Sequence, residues 1–423
     1  MGFPPRSAMS RHSEHAVLSP GNLRRVLDAS RAARPLPGTP LRAFVVVQQR
    51  LMDPSLADAT AVDFVLLDWL TEEIVVGLRD QRQHYRLSGP DLGSSLEEAL
   101  DELALDFAQG ATELEAWSVL YHRYARVDLD LSWGQLETIT AQDERTLRRR
   151  QERGMRRLTQ RLLARERAVK RATHQDRLRR ILPAVPDYQL VGRAAIEEQA
   201  WQALVAEQGR RHVALIGPGG IGKTALAALL AHRLIDAAEL DNIAWLTASP
   251  PLMPQDLPAY CVQALNVPFL GEETLRAYCQ AHDVLIVLDE AEQLTAWADE
   301  PGPALQPFLE QVAEARLIIT SRFFLRNAGL RVLELPELDA NEALVVIERT
   351  WPADHALDSI RREVIWRQAG GNPLALEVST RLAARLPQSV LTGAHLPEPL
   401  PDQLALWNNL YEHAWQQLDA DAR

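Results

Sequence analysis

Lysine is almost missing from this 423-residue chain: of its 45 basic residues only Lys170 and Lys223 are lysine. Any positive surface must therefore be built from arginine, whose planar fork of five donors suits carboxylates and phosphates. Cysteine is equally scarce. Cys261 and Cys279 are too few for a disulfide framework or for a metal site of the usual ligand number, so two small core residues and a reducing, cytoplasmic setting are expected. No apolar run approaches the roughly 18 residues of a membrane span. The first residues carry Arg, Pro and His where a signal peptide needs an apolar core, and no membrane partner is expected. The length suits two to four domains, and 47% hydrophobic residues suffice for their cores.

Negative charge is in excess, with a formal net charge of −12, but it is unevenly spread. Residues 144–180 hold 14 Arg and one Lys against three Glu and one Asp, a local balance of +11 that leaves −23 for the remainder. Ahead of this run the chain reads as helical. Asn22 to Ala33 suits one helix, and apolar residues recur at helical spacing from Leu41 to Arg86, broken at Asp53-Pro54. Leu96 to Ala108 continues the pattern. Thr112 to Arg126 reads as an amphipathic helix with Leu114, Trp117, Leu120 and Tyr121 on one face. Ser132 and Gln135 form a capping-box pattern before a short helix carrying Leu136 and Ile139. A turn at 140–142, without glycine, precedes Asp143 as N-cap and the arginine-rich helix from Glu144.

The segment 132–150 resembles the helix-turn-helix of bacterial sigma-factor-like regulators. The resemblance implies that Arg145, Thr146, Arg148 and Arg149 face the major groove of double-stranded DNA while Arg153, Arg156 and Arg157 contact phosphates. Two other readings stand beside it. One is a solvated basic helix with an apolar stripe of Leu147, Leu158, Leu162 and Val169. The other is an intramolecular clamp on the acidic remainder. Ile181 to Pro186 reads as a linker by its prolines.

The stretch Gly217-Pro218-Gly219-Gly220-Ile221-Gly222-Lys223-Thr224 fits G-x-x-x-x-G-K-[ST], between an apolar strand at 212–216 and an alanine-rich helix from Ala225. In such a loop the glycines let backbone N–H groups turn inward on phosphates, while the helix offers its positive end. Lys223 would bridge the β- and γ-phosphates and Thr224 would hold Mg²⁺. A glycine-rich turn that happens to precede Lys-Thr is the alternative. Further on, Val284 to Leu288 is a five-residue apolar strand ending in Asp289, placed for Mg²⁺, and Glu290, placed to polarise a water. Arg316 to Arg322 is a strand delivering Thr320 and Arg322 to the same crevice.

Five motifs, Leu190-Val191-Gly192-Arg193 with Glu197, the loop at 217–224, Leu288-Asp289-Glu290, Ile319-Thr320-Ser321-Arg322 and Gly370-Gly371-Asn372-Pro373-Leu374, come in the order found in the NB-ARC family, which the chain resembles. These are STAND-class P-loop ATPases that include plant disease-resistance proteins, apoptosome scaffolds and bacterial regulators. The resemblance covers about residues 188–395. It implies an ATP/ADP-dependent switch with slow ATPase activity, ADP or ATP with Mg²⁺ as cofactors, and self-association in the ATP state. Val191 and Pro373 would flank the adenine, and Arg193, Ile221 and Ala225 would complete the nucleotide contacts. Arg322 would read the γ-phosphate. Glu290 stands where many members have Asp, which points to measurable turnover.

The expected architecture is multidomain: an all-α N-terminal region (1–110), a helix-turn-helix-like domain (111–180), a linker (181–187), an α/β P-loop NTPase core with a parallel sheet covered by helices on both faces (188–335), and a helical subdomain (336–395). Residues 400–419 resemble the opening helix of the family's winged-helix domain, of which 396–423 would be a truncated start. The expected function is nucleotide control of a DNA-binding N-terminal module, with a protein-interaction module for signalling or defence as the alternative.

Overall fold

The computed structural model describes residues 18–51, 61–184, 190–206, 209, 211–237, 240–249, 252–268, 273–294, 301–325, 329–353 and 357–385. The expected break at Asp53-Pro54, the second half of the linker and the winged-helix segment lie outside them. The described residues fall into two compact units, 18–174 and 175–385.

The first unit is all helix: α1 (Pro20–Arg31), α2 (Val45–Leu51), α3 (Ala61–His84), α4 (Leu96–Ala108), α5 (Thr112–Leu120), α6 (Trp133–Thr140) and most of α7 (Glu144–Arg179). The sequence suggests one apolar face on 112–126, yet every residue from Leu114 to Leu120 is buried. Two cores account for this. Leu114, Trp117 and Leu120 pack with Trp69, Leu70, Ile74, Leu158 and Leu162, while Val119 packs with Leu103, Phe107, Leu136 and Leu147 on the other side. Because α5 divides these two cores, the expected boundary at residue 110 is no structural boundary. The helix also stops early, and Tyr121–Ala125 forms a π-helical turn.

Close packing of α7 on α5 depends on Gly154, where a Cβ would come 2.7 Å from the Ala116 carbonyl oxygen. The turn before α7 manages without glycine because Ala141 itself takes a left-handed conformation, φ 53°. That conformation costs an alanine about 1–2 kcal/mol. The unit boundary falls inside α7, ahead of the prolines that suggest a linker. The last turns belong to the second unit: Leu178 and Leu182 join its core, and Gln175 Nε2 donates to the Ile235 carbonyl at 2.9 Å.

The second unit is built on a five-stranded parallel sheet of β1 (Arg211–Ile216), β2 (Asn242–Thr247), β3 (Val284–Asp289), β4 (Arg316–Ser321) and β5 (Arg331–Glu334), in the order β2-β3-β4-β1-β5. Apolar runs without alternation are what a sheet buried on both faces requires. Val213, Leu215, Leu285, Val287 and Ile318 meet α8 (Ala194–Leu204) and α9 (Lys223–Ala237) on one face. Ala214, Ile286, Leu288, Leu317 and Ile319 meet α10 (Leu257–Ala264), α11 (Thr274–Ala281) and α12 (Pro301–Gln311) on the other. Both cysteines lie in this second layer, as small core residues. Strand β5 leaves no signal in the sequence. It is four residues long with only Leu333 buried, too short and too polar for a periodicity to show.

Three further helices of the unit lie among the described residues: α13 (Ala340–Thr350), α14 (Ser359–Ala369) and α15 (Pro373–Arg385). Asp339 starts α13 through a capping box with Glu342. Leu338, Val346, Ile347, Trp351, Ile365 and Leu376 form a core of their own.

Candidate nucleotide-binding site

Strand β4 lies between β1 and β3, so three strand ends converge on one crevice: the 217–222 loop after β1, Asp289 after β3, and Arg322 after β4. At the open end of a parallel sheet this is where ligands bind. The loop is shaped by its glycines. Gly220 has φ +75°, and a Cβ there would lie 2.9 Å from Asn372 Oδ1, so only glycine lets the neighbouring helical subdomain come this close.

Lys223, the first residue of α9, folds back on its own loop. Its Nζ donates to the carbonyls of Gly217 at 2.8 Å and Pro218 at 2.9 Å. Burial pushes its ammonium below the ordinary lysine value, and of the carboxylates that oppose this shift Glu292 acts most strongly, ahead of Asp289 and Glu290. An ammonium held by neutral carbonyl oxygens beside a helix N-terminus is suited to an anion.

The expected metal ligands meet. Thr224 Oγ1 donates to Asp289 Oδ1 at 2.9 Å, and Thr320 Oγ1 donates to the same oxygen at 2.6 Å. Asp289 is 4% exposed. A hydroxyl and a carboxylate, both hard oxygen donors, brought together beside a phosphate-type loop fit Mg²⁺. Thr320 also accepts from the backbone N of Glu290 at 2.9 Å, so one hydroxyl ties the acidic strand end to β4. Glu290 itself is exposed and left-handed, φ 56° and ψ 42°. Arg322 sits against the loop: a Cβ on Gly219 would come 3.4 Å from its Cζ. Its ion-pair partner is Glu292, a residue outside every motif.

A pocket of about 150 Å³ is lined by Val191, Arg193, Gly220, Ile221, Gly222, Ala225, Leu338 and Pro373. Apolar walls and few polar groups are what a flat aromatic ring needs. All the expected base-contacting residues are therefore gathered in one place. Arg193 is 3% exposed, with Nη2 donating to the Ile221 carbonyl at 3.1 Å; burial lowers its pKa, against the pull of Glu342. Arg349 and Glu377, which the sequence does not single out, also line the pocket and pair at 3.3 Å. They sit on different helices, so no linear spacing reveals them.

The strand order and the loop together decide the architecture. This is a P-loop NTPase fold. No family model matches the chain, and no curated protein does. Among solved structures it is similar in part to Cdc6p from Pyrobaculum aerophilum, with TM-score 0.37 and 15% identity over 50% of this chain and 65% of that one. It is likewise similar to the ORC2 protein of Aeropyrum pernix, with TM-score 0.36 and 18% identity over 56% of this chain and 73% of that one. A STAND protein with a tetratricopeptide repeat sensor from Pyrococcus horikoshii gives TM-score 0.36 and 17% identity over 56% of this chain, which spans 34% of that one. Among the described residues no helix is long and apolar enough to cross a membrane.

The basic helix of the first unit is arranged differently. At its start Leu147 of α7 shares one small core with Leu136 of α6. Arg145, Arg148 and Arg149 are exposed there, and Thr146 is partly so, its backbone N capped by Asp143 at 2.8 Å. Arg148 pairs with Glu144 and lies 5.0 Å over the Trp133 ring. Beyond that turn two of the three expected phosphate-binding arginines, and two of their neighbours, have carboxylate partners. Arg153 and Arg157 both bind Glu113, Arg150 binds Glu115, and Arg161 binds Glu73 and Asp80. Arg156 is exposed.

Proposed function

We propose that the second unit binds ADP or ATP with Mg²⁺ and acts as a nucleotide-dependent switch of the STAND type. Lys223 and the 217–222 loop would take the phosphates, Thr224 and Asp289 would hold Mg²⁺, and the pocket between Val191 and Pro373 would take the base. Mg²⁺ would supply charge neutralisation between the β- and γ-phosphates. Glu290, exposed at the mouth of the crevice, is the residue suited to orient a water.

One observation carries the switch. The helical subdomain is bonded to the loop itself: Asn372 Nδ2 donates to the Gly219 carbonyl at 2.8 Å, and the backbone N of Leu374 donates to the Gly220 carbonyl at 3.3 Å. A change in the loop on phosphate binding has a direct path to α15, and a ligand can shift such an arrangement only by touching its two states differently. The test is calorimetric titration with ADP and a non-hydrolysable ATP analogue, with and without Mg²⁺, alongside hydrogen exchange in residues 336–385. The expected result is binding of both nucleotides and different protection in α15 between them. Equal protection would remove the switch, and no binding of either would remove the nucleotide site.

For the first unit the first reading is a DNA-binding module, favoured by the exposed Arg145, Arg148 and Arg149 at the start of α7. The pairing of Arg153 and Arg157 with Glu113 favours the second reading, in which the helix is a scaffold for protein interaction in signalling.

A further inference from the structure

Glu292 follows Glu290 within a single short turn, Ala291–Gln293, and its side chain is 6% exposed. Both of its oxygens are used on one residue. Oε2 accepts from the backbone N of Arg322 at 3.2 Å, and Oε1 lies 3.0 Å from Arg322 Nε. The guanidinium held in this way lies along the phosphate loop, with Cζ 3.4 Å and both Nε and Nη2 3.6 Å from where a Gly219 Cβ would be. Arg322 is otherwise half in solvent, at 52% exposure. A long side chain so exposed keeps its rotamer freedom unless something ties it.

The choice of bonded atoms matters. A guanidinium can take an anion through its two terminal nitrogens or through Nε with one of them, so a carboxylate confined to Nε leaves the terminal pair for phosphate. Glu292 holds Nε and the backbone N, and Nη2 lies beside Gly219. We propose that Glu292 is a positioning residue: it fixes the Arg322 guanidinium over Gly219 so that the terminal nitrogens meet the γ-phosphate, and thereby sets the preference for nucleoside triphosphate over diphosphate. This rests on the nucleotide site proposed above.

The test is a titration of ADP and a non-hydrolysable ATP analogue into the full chain, for the wild type, Glu292→Gln, Arg322→Ala and the double variant. Loss of a charge-assisted bond predicts that Glu292→Gln weakens the triphosphate about 10-fold while ADP stays within about twofold. Arg322→Ala should show the same split, and the double variant should lose no more than either single one, because both act through one guanidinium. Arg322→Lys keeps the charge without Nε; it should give the split again and serves if Glu292→Gln fails to fold. Equal weakening of both nucleotides would show a packing role only and overturn the proposal. So would tighter triphosphate binding, the mark of a competitor, or additive losses. A wild type that binds neither nucleotide would instead overturn the nucleotide site itself, and the proposal with it.

Discussion

Lys223 and the arginines of α7 are both cations at helices, and they are held in opposite ways. Lys223 donates to two backbone carbonyls, which carry no net charge, so its ammonium can be handed to an anion. Arg153 and Arg157 share the carboxylate of Glu113, and Arg161 has two acidic partners. Those charges have acidic partners within their own unit, in partly exposed pairs. A count of basic residues places the positive site on α7, whereas the partners place it at a lone lysine. Cation number alone overstates an electrostatic footprint where several of the cations share carboxylate partners.

Removing the lone lysine should have the largest effect. Lys223→Ala deletes the ammonium proposed to meet the β-phosphate of ADP, and at about 1.5–3 kcal/mol for that charge-assisted bond affinity for ADP should drop by about 10- to 150-fold. Calorimetry with ADP decides it. An unchanged affinity would mean that the loop binds no phosphate, and the contrast with α7 would vanish.

The two units should also part company in acid. His122 is buried in the first unit, with Nδ1 2.9 Å from the Ser118 carbonyl and Nε2 3.0 Å from that of Ala99. Burial lowers its pKa to about 4, outweighing both carbonyls, which favour the imidazolium. A base depressed on folding leaves the unfolded chain binding more protons, so stability falls as pH drops from the unfolded value of about 6.5 towards about 4. Over that window the shift is worth about 3 kcal/mol, an order-of-magnitude figure. Denaturant unfolding of the wild type and His122→Gln at pH 7, 5.5 and 4.5 should show a steeper loss in the wild type, confined to the first unit. Parallel losses would show that His122 is not the proton acceptor.

What is legible in the sequence divides along the same line. The 217–224 loop, Asp289 and the four longer strands are written in contiguous residues whose chemistry does not wait on the fold. Val191 and Pro373 come together in the sequence only through a family resemblance, and they do line the same pocket. Glu292 gives no signal there because its role is set by a turn: left-handed Glu290 re-aims the chain, and the second acid after Asp289 is the one directed at Arg322. The Arg349 and Glu377 pair joins two helices, and the burial of α5 on all sides arises from two separate cores. The partners of Arg153 and Arg157 lie about forty residues away, on a helix whose acidic face offers no pattern of its own.

The smallest expected effect is the one that tests α7 itself. If DNA is read by the exposed start of the helix, Arg148→Ala/Arg149→Ala should weaken binding to a random duplex in fluorescence anisotropy and flatten its dependence on salt, by about one unit of slope for each phosphate no longer neutralised. Glu113→Gln sharpens the question. Arg157 and Arg153 hold the Glu113 carboxylate below the usual glutamate range, so it stays ionised near neutral pH and competes with phosphate for those two guanidiniums. Taking that charge away should release both, and raise affinity for the duplex a few-fold at low salt, since partly exposed ion pairs contribute only about 0–1 kcal/mol. A gain in Glu113→Gln together with a loss in the double arginine variant would place DNA along the whole basic face. A loss without a gain would confine it to residues 145–149. If the wild type does not bind at low salt and neither variant changes that, the arginines of α7 serve the helical unit's own carboxylates, and the comparison with Lys223 holds in full.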